Sequence, residues 1–212
     1  MDSLMPHDIE RHLLPSGLVA MLRTRSLEAV EREVPSGYAA IIRVPNAVDP
    51  LAIELAQIYG VEKETEASPQ VMEFHTQLAR ADDVPTMTPR DGADVSQEMH
   101  AARRYVMTQA CFAVPLAKRG VGTMTENITV GRALNKDLVL RAQGVSKLHA
   151  WFEIGSGGVS VCDAGSKNGT FVAGTRIPPR EPTRTSPGEI ITFSTIEVML
   201  CHVPTLWHLV RG

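Results

Sequence analysis

The chain has 212 residues, of which 43% are hydrophobic and 21% charged, enough to bury one large core or two small ones. Its formal net charge of −3 argues against a charge-driven nucleic-acid binder or a polyanionic tail, and no stretch reaches the roughly 20 apolar residues of a membrane span. That total hides an asymmetry, because residues 1–110 carry 10 basic and 17 acidic side chains, a net of −7, whereas residues 111–212 carry 11 and 7, a net of +4.

From the N-terminus, Met1 to Gly17 lacks the basic start and apolar run of a secretory signal, so a cytoplasmic protein is expected. Apolar residues then recur at helical spacing, which predicts helices over Asp8–Leu14, Leu18–Glu33, Asp49–Gly60, Ser68–Ala79 and Val95–Gln109. The segments PSGLVAMLR (15–23) and PSGYAAIIR (35–43) resemble one another. Two copies are too few for a solenoid, so chance or a paired helix start accounts for them, and Tyr38 to Val44 reads equally well as a strand. The polar stretch Ala81 to Asp94, with Pro85, Pro89 and Gly92, is the best linker.

Near Ala110 the period changes to two. Phe112, Val114 and Leu116 alternate, as do Ile196, Val198 and Leu200 with Glu197 opposite, the pattern of half-buried strands. Shorter strands are expected at Asn127–Gly131, Leu138–Leu140, Ala150–Ile154, Val159–Asp163, Thr170–Ala173 and Glu189–Phe193, separated by Gly, Pro, Asn and Ser turns. Many short strands without intervening helices mean a β-sandwich or barrel. Residues 204–210 (PTLWHLV) close the chain with a short helix. The expected organisation is α+β as a whole. Residues 1–80 form a mainly helical region of unknown role and 81–94 a linker. A helix at 95–109 leads into an all-β sandwich at 110–202, followed by a short helix at 203–212.

The three cysteines, Cys111, Cys162 and Cys201, show neither CxxC nor Cys/His spacing and read as small buried strand residues. His7 and His12 are not at metal-ligand spacing for one helix face, and Glu62, Glu64 and Glu66 read as a solvated acidic face. GxGxxG, P-loop, HExxH and GxSxG motifs are absent, so no catalytic, metal or cofactor site is expected, and residues 1–110 show no nucleophile and base set.

The chemistry concentrates in the β half, in Gly131-Arg132, Ser146-Lys147-Leu148-His149 and Asn168-Gly169-Thr170, each in a loop between strands. Arg132 can present a planar fork of donors to a phosphate dianion. Ser146 offers a hydroxyl and Lys147 a mobile charge to the same oxygens. Asn168 carries both a donor and an acceptor, which suits it to a peptide backbone. Plainer readings remain open: Arg132 paired with Asp137, Ser146 and Asn168 as turn formers, and Trp151 and Trp207 as packing residues.

In this order and strand context, GR, SxxH and NG resemble the forkhead-associated (FHA) domain, over roughly residues 110–202. The resemblance implies a β-sandwich that binds phosphothreonine peptides, with Arg132, Ser146 and Lys147 on the phosphate, Asn168 and Lys167 along the peptide, and Gly131, His149 and Gly169 supporting the loops. It also implies a small pocket for the threonine methyl. Two positions depart from the family pattern: Lys147 stands where arginine is frequent, which keeps the charge but loses bidentate geometry, and Lys167 stands where Ser or Thr is frequent.

The function expected from this resemblance is a non-enzymatic adaptor that reads a phosphothreonine-containing protein in a serine/threonine kinase pathway, with no nucleic-acid or membrane partner. Two alternatives stand beside it. One is a switch in which phosphorylated Thr88, in Thr88-Pro89-Arg90-Asp91, occupies the groove. The other is a phosphate-independent scaffold.

Overall fold

A computed structural model describes residues 9, 12–47, 49–60, 92–119 and 126–212. The predicted helix at Ser68–Ala79, most of the linker at 81–94, and parts of Asp8–Leu14 lie outside the described residues.

Eleven described strands form two sheets. One has the order β2(Cys111–Pro115), β1(Tyr38–Arg43), β11(Ile196–His202), β10(Ile190–Phe193), β7(Thr170–Val172), β8(Thr175–Arg176). The other has the order β4(Leu138–Val139), β3(Ile128–Gly131), β5(Ala150–Gly155), β6(Gly158–Asp163), β9(Thr183–Thr185). Five described helices accompany them: α1(Gly17–Thr24), α2(Leu27–Glu33), α3(Pro50–Tyr59), α4(Gly92–Thr108) and α5(Val203–Arg211). The whole is α+β, with the sandwich predicted for the C-terminal half. The short strands β8 and β9 were not read from the sequence, because neither carries an apolar alternation.

The charge boundary at residue 110 is not a structural one. Strand β1, from the acidic half, lies between β2 and β11 and runs antiparallel to both, with Ile42 opposite Phe112 on one side and Val198 on the other. Burial on both faces explains why its type was undecided from sequence. Ala40 and Ile42 enter the inter-sheet core with Phe112, Val114, Val198 and Leu200, while Ala39 and Ile41 meet a helical layer with Leu22, Val106 and Leu206. A strand covered on both faces loses its polar alternation and reads as a short apolar run, which helix and strand share. The same layer buries Met199 and Cys201, so β11 is covered on both faces from Val198 to Cys201, while Glu197, at its partly exposed start, pairs with Arg43.

Similar nonapeptides take different structures here. In PSGLVAMLR, the Ser16 Oγ accepts from the Val19 N–H (3.1 Å) and donates to the Ala113 carbonyl (2.6 Å), capping α1 and tying it to β2. In PSGYAAIIR, Gly37 takes φ +73°, its N–H bonds the Val34 carbonyl, and the chain turns into β1. The repeat therefore does not mark a paired helix start.

The helix expected over Leu18–Glu33 breaks at Arg25, which is extended (φ −110°, ψ 158°). The cause lies at the other end of the chain. Arg211 donates to the carbonyls of Leu22, Arg23 and Arg25, and the Trp207 indole donates to Arg25, replacing the partners that a continuing helix would supply.

Helix α3 closes the open side of the sandwich. Asp49 caps it through the Leu51 N–H (2.9 Å), Leu51, Ala52 and Leu55 enter the inter-sheet core, and the Tyr59 hydroxyl donates to the Asp137 carbonyl and accepts from the Val139 N–H. Edge strand β4 is thereby covered. Helix α4 is clamped at the far end of β11, where Glu98 accepts from the His202 N–H and contacts its ring nitrogen, both at 2.7 Å. All three cysteines are buried free thiols, and burial pushes Cys111 up to about 12.

Candidate functional site

The site begins where β3 ends. A Cβ on Gly131 would stand 2.3 Å from the Lys147 carbonyl oxygen, so glycine alone lets the β3–β4 loop lie against the β4–β5 loop. Two backbone bonds then join them, Arg132 N–H to the Ser146 carbonyl (2.9 Å) and Ala133 N–H to the Lys147 carbonyl (3.3 Å).

Arg132 is exposed, and its Nε donates to the Val145 carbonyl (3.1 Å). That bond steadies the guanidinium while leaving its two terminal nitrogens uncommitted. The alternative partner Asp137 is taken elsewhere: it is buried and receives Lys118 Nζ, the Arg119 N–H, and the N–H and hydroxyl of Thr129. Burial pushes the Asp137 carboxyl up, but these donors outweigh it and hold it below the ordinary range.

Ser146 links two more loops. Its Oγ accepts from the Lys167 N–H (3.1 Å), which leaves the hydroxyl proton to donate. The Ser146 N–H donates to His149 Nδ1 (3.1 Å), so the ring proton is on Nε2, which faces the Gly169 carbonyl at 3.1 Å. His149 is fully buried and meets Phe193 edge-on at 5.8 Å. It is the bracket that holds the SxxH loop to the NG loop.

Burial depresses the His149 pKa below 6.5. With the folded value below the unfolded one, the unfolded chain takes up the proton first as pH falls. The stabilisation is complete above about pH 6.5 and is lost progressively below it. Urea denaturation followed from pH 7.5 downward should show this loss in wild type and a shallower slope in His149→Gln; parallel slopes would contradict the assignment.

Asn168 is exposed, and its amide nitrogen donates to the Gly144 carbonyl (2.8 Å) and to Ser194 Oγ (3.3 Å). Its amide oxygen is the uncommitted acceptor. Gly169, at φ +85°, lets the loop turn, and a Cβ there would meet Arg176 Nε at 2.7 Å. Lys147 and Lys167 are exposed beside these groups.

Sequence reasoning missed three supports. Asp163, buried, accepts from the N–H groups of Gly165 and Ser166 (2.8 Å each) and from the hydroxyls of Ser166 and Thr170 (2.6 Å each). Burial raises its carboxyl, but these bonds prevail and hold it below the ordinary range. An Asp at a strand end, three residues before a Ser and seven before a Thr, was the available signal. Gly144 and Ser194, which orient Asn168, left none, since they meet it only in space.

Residues 128–194 match the family model of the FHA domain. Over this stretch the chain is similar to FHA domains. The match leaves the N-terminal region, including β1 and α3, outside it. Among solved structures, the FHA domain of the CT664 protein from Chlamydia trachomatis is 26% identical, covering 43% of this chain and 83% of that one at a TM-score of 0.34. Mycobacterium tuberculosis EmbR in complex with a low-affinity phosphopeptide is 26% identical over 40% of this chain and 22% of its own, with a TM-score of 0.33. The FHA domain of an Arabidopsis thaliana protein is 24% identical over 36% and 67%, with a TM-score of 0.35. No curated protein matches the chain. Among the described residues, no helix is long and apolar enough to cross a membrane, and no group of three His, Cys, Asp or Glu side chains is placed to hold a metal ion.

Proposed function

We propose that the protein is a non-enzymatic cytoplasmic adaptor that binds a phosphothreonine-containing protein marked by a serine/threonine kinase. One observation carries this reading. The Arg132 fork, the Ser146 hydroxyl and the Lys147 side chain stand on two bonded loops, and no described carboxylate pairs with them. A dianion is the ligand that three such donors satisfy together. Asn168 and Lys167 lie along the peptide, and the committed amide nitrogen makes Asn168 an acceptor for a peptide N–H.

A degenerate phosphothreonine peptide library, titrated against the full chain and repeated after phosphatase treatment, tests this. Affinity should fall by about a thousandfold on dephosphorylation, more than the loss of any one donor, because three charge-assisted bonds at the lower limit of ~1.5 kcal/mol each are lost together. Unchanged binding would instead make the sandwich a phosphate-independent scaffold.

Occupation of the groove by phosphorylated Thr88 of the same molecule is disfavoured by reach, although Thr88 itself lies outside the described residues. Helix α4 is anchored at Glu98 to His202, the end of β11 remote from Ser194, and begins six residues earlier at Gly92. The span is roughly 20 Å of strand plus about 9 Å of helix. The four residues from Thr88 to Gly92 cover at most ~14 Å. Phosphorylating Thr88 should therefore leave peptide affinity unchanged as long as α4 stays helical from Gly92.

A further inference from the structure

Among the described residues, the large hydrophobic side chains that stand exposed are Ile53 at 47%, Leu134 at 63% and Leu148 at 42%. Scattered exposed leucines are ordinary, but these two fall on the two loops that carry Arg132, Ser146 and Lys147. Leu134 stands two residues past Arg132, on a turn closed by the Lys136 N–H to the Ala133 carbonyl (3.1 Å). Leu148 follows Lys147 and precedes the pinned, buried His149, an alternation that sends its side chain outward.

The backbones beneath the pair are locked together. The Gly131 Cβ position is 3.1 Å from Leu148 Cα, and the Ala133 N–H bonds the Lys147 carbonyl at 3.3 Å. Leu148 stands at the 147–148 end of the β4–β5 loop and Leu134 on the β3–β4 loop bonded to that end through Ala133, whereas Asn168 is held at the Gly144 end of the β4–β5 loop. Each of the two loops thus presents a cation with an exposed leucine one or two residues beyond it.

We propose that Leu134 and Leu148 form an apolar clamp for a large hydrophobic side chain close to the phosphothreonine of the partner, so that the ligand is a phosphothreonine peptide with a Leu, Ile, Met or Phe flank. This rests on the phosphothreonine reading above and is continuous with that site. A flanking side chain covered by the clamp gains roughly tenfold in affinity over alanine, the return expected for about 50 Å² of apolar surface removed from water. Because both leucines are exposed and fill no core, serine in their place leaves the fold and the phosphate contacts intact.

The test uses the full chain and a set of phosphothreonine peptides with alanine flanks, in which a single leucine is moved through each flanking position, with affinities read by fluorescence anisotropy. Wild type should prefer leucine at one position by about tenfold, and L134S/L148S should reduce that preference to within about twofold. The ratio of phosphothreonine to threonine affinity should be the same in both proteins. A flat leucine scan in wild type, or equal loss by the variant for leucine and alanine peptides, overturns the clamp while the phosphothreonine reading stands. Indifference of wild type to phosphate overturns both. Sedimentation of both proteins completes the test: a wild-type dimer lost in the variant assigns the leucines to a second copy of the chain and overturns the clamp, and equal masses support it.

Discussion

Arg132→Ala should weaken binding of a phosphothreonine peptide by about a hundredfold, the worth of one or two charge-assisted hydrogen bonds at ~1.5–3 kcal/mol each. The side chain is exposed and its one internal bond runs from Nε to the Val145 carbonyl, so the thermal midpoint should move little. Arg132→Lys separates charge from geometry: a point charge remains but the fork is lost, and affinity should fall to an intermediate level of about tenfold. The same variants should not alter the weak binding of the unphosphorylated peptide. Calorimetric titration of wild type and both variants against the matched peptide pair reads the affinities, and a thermal melt reads the midpoint. Equal phosphopeptide affinity for wild type and Arg132→Ala would remove the phosphate from the site.

A fragment of residues 110–212, the piece that charge and periodicity suggest, should fail to fold. It keeps every motif residue but lacks β1, so β2 and β11 each lose the strand between them. It also lacks α3, which fills the open side of the inter-sheet core, and α1 and α4 of the helical layer. The loss strips cover from apolar side chains such as Phe112, Val198 and Leu200, and leaves two long unpaired edges exposed to aggregation. Ile42→Ala, in the full chain, measures the same dependence at one position: the side chain is wholly buried in the inter-sheet core, and its truncation should cost about 2–5 kcal/mol in urea denaturation. A cooperatively folded 110–212 fragment with dispersed amide resonances would contradict the shared sheet. Binding measurements on this protein accordingly call for the whole chain.

What could be read in the sequence was local. Gly131-Arg132, Ser146 to His149 and Asn168-Gly169 are short segments whose chemistry is carried by residue type, and their loops are bounded by strands with their own alternation. Period-two patterning likewise placed β2, β5, β6 and β11 to within a residue or two. Charge misled, because net charge follows the surface, and the acidic and basic halves share a buried sheet to which their surface residues are indifferent. The break at Arg25 was hidden as well, since Trp207 and Arg211, which take the carbonyls there, are more than 180 residues away.

The sequence by itself determined which residues are the candidates for phosphate and peptide contacts, the β-sandwich class of the C-terminal half and the burial of its cysteines, because side-chain chemistry and alternation are properties of neighbouring residues. Only the tertiary structure decided that β1 is a central strand of that sandwich, that α3 closes its side, that Asp137 is occupied and so leaves Arg132 free, and that Ser194 and Gly144 orient Asn168. Each of these depends on which distant segments meet, and the energy that settles it, apolar surface buried on two faces or a carboxylate satisfied by four donors, exists only once they have done so.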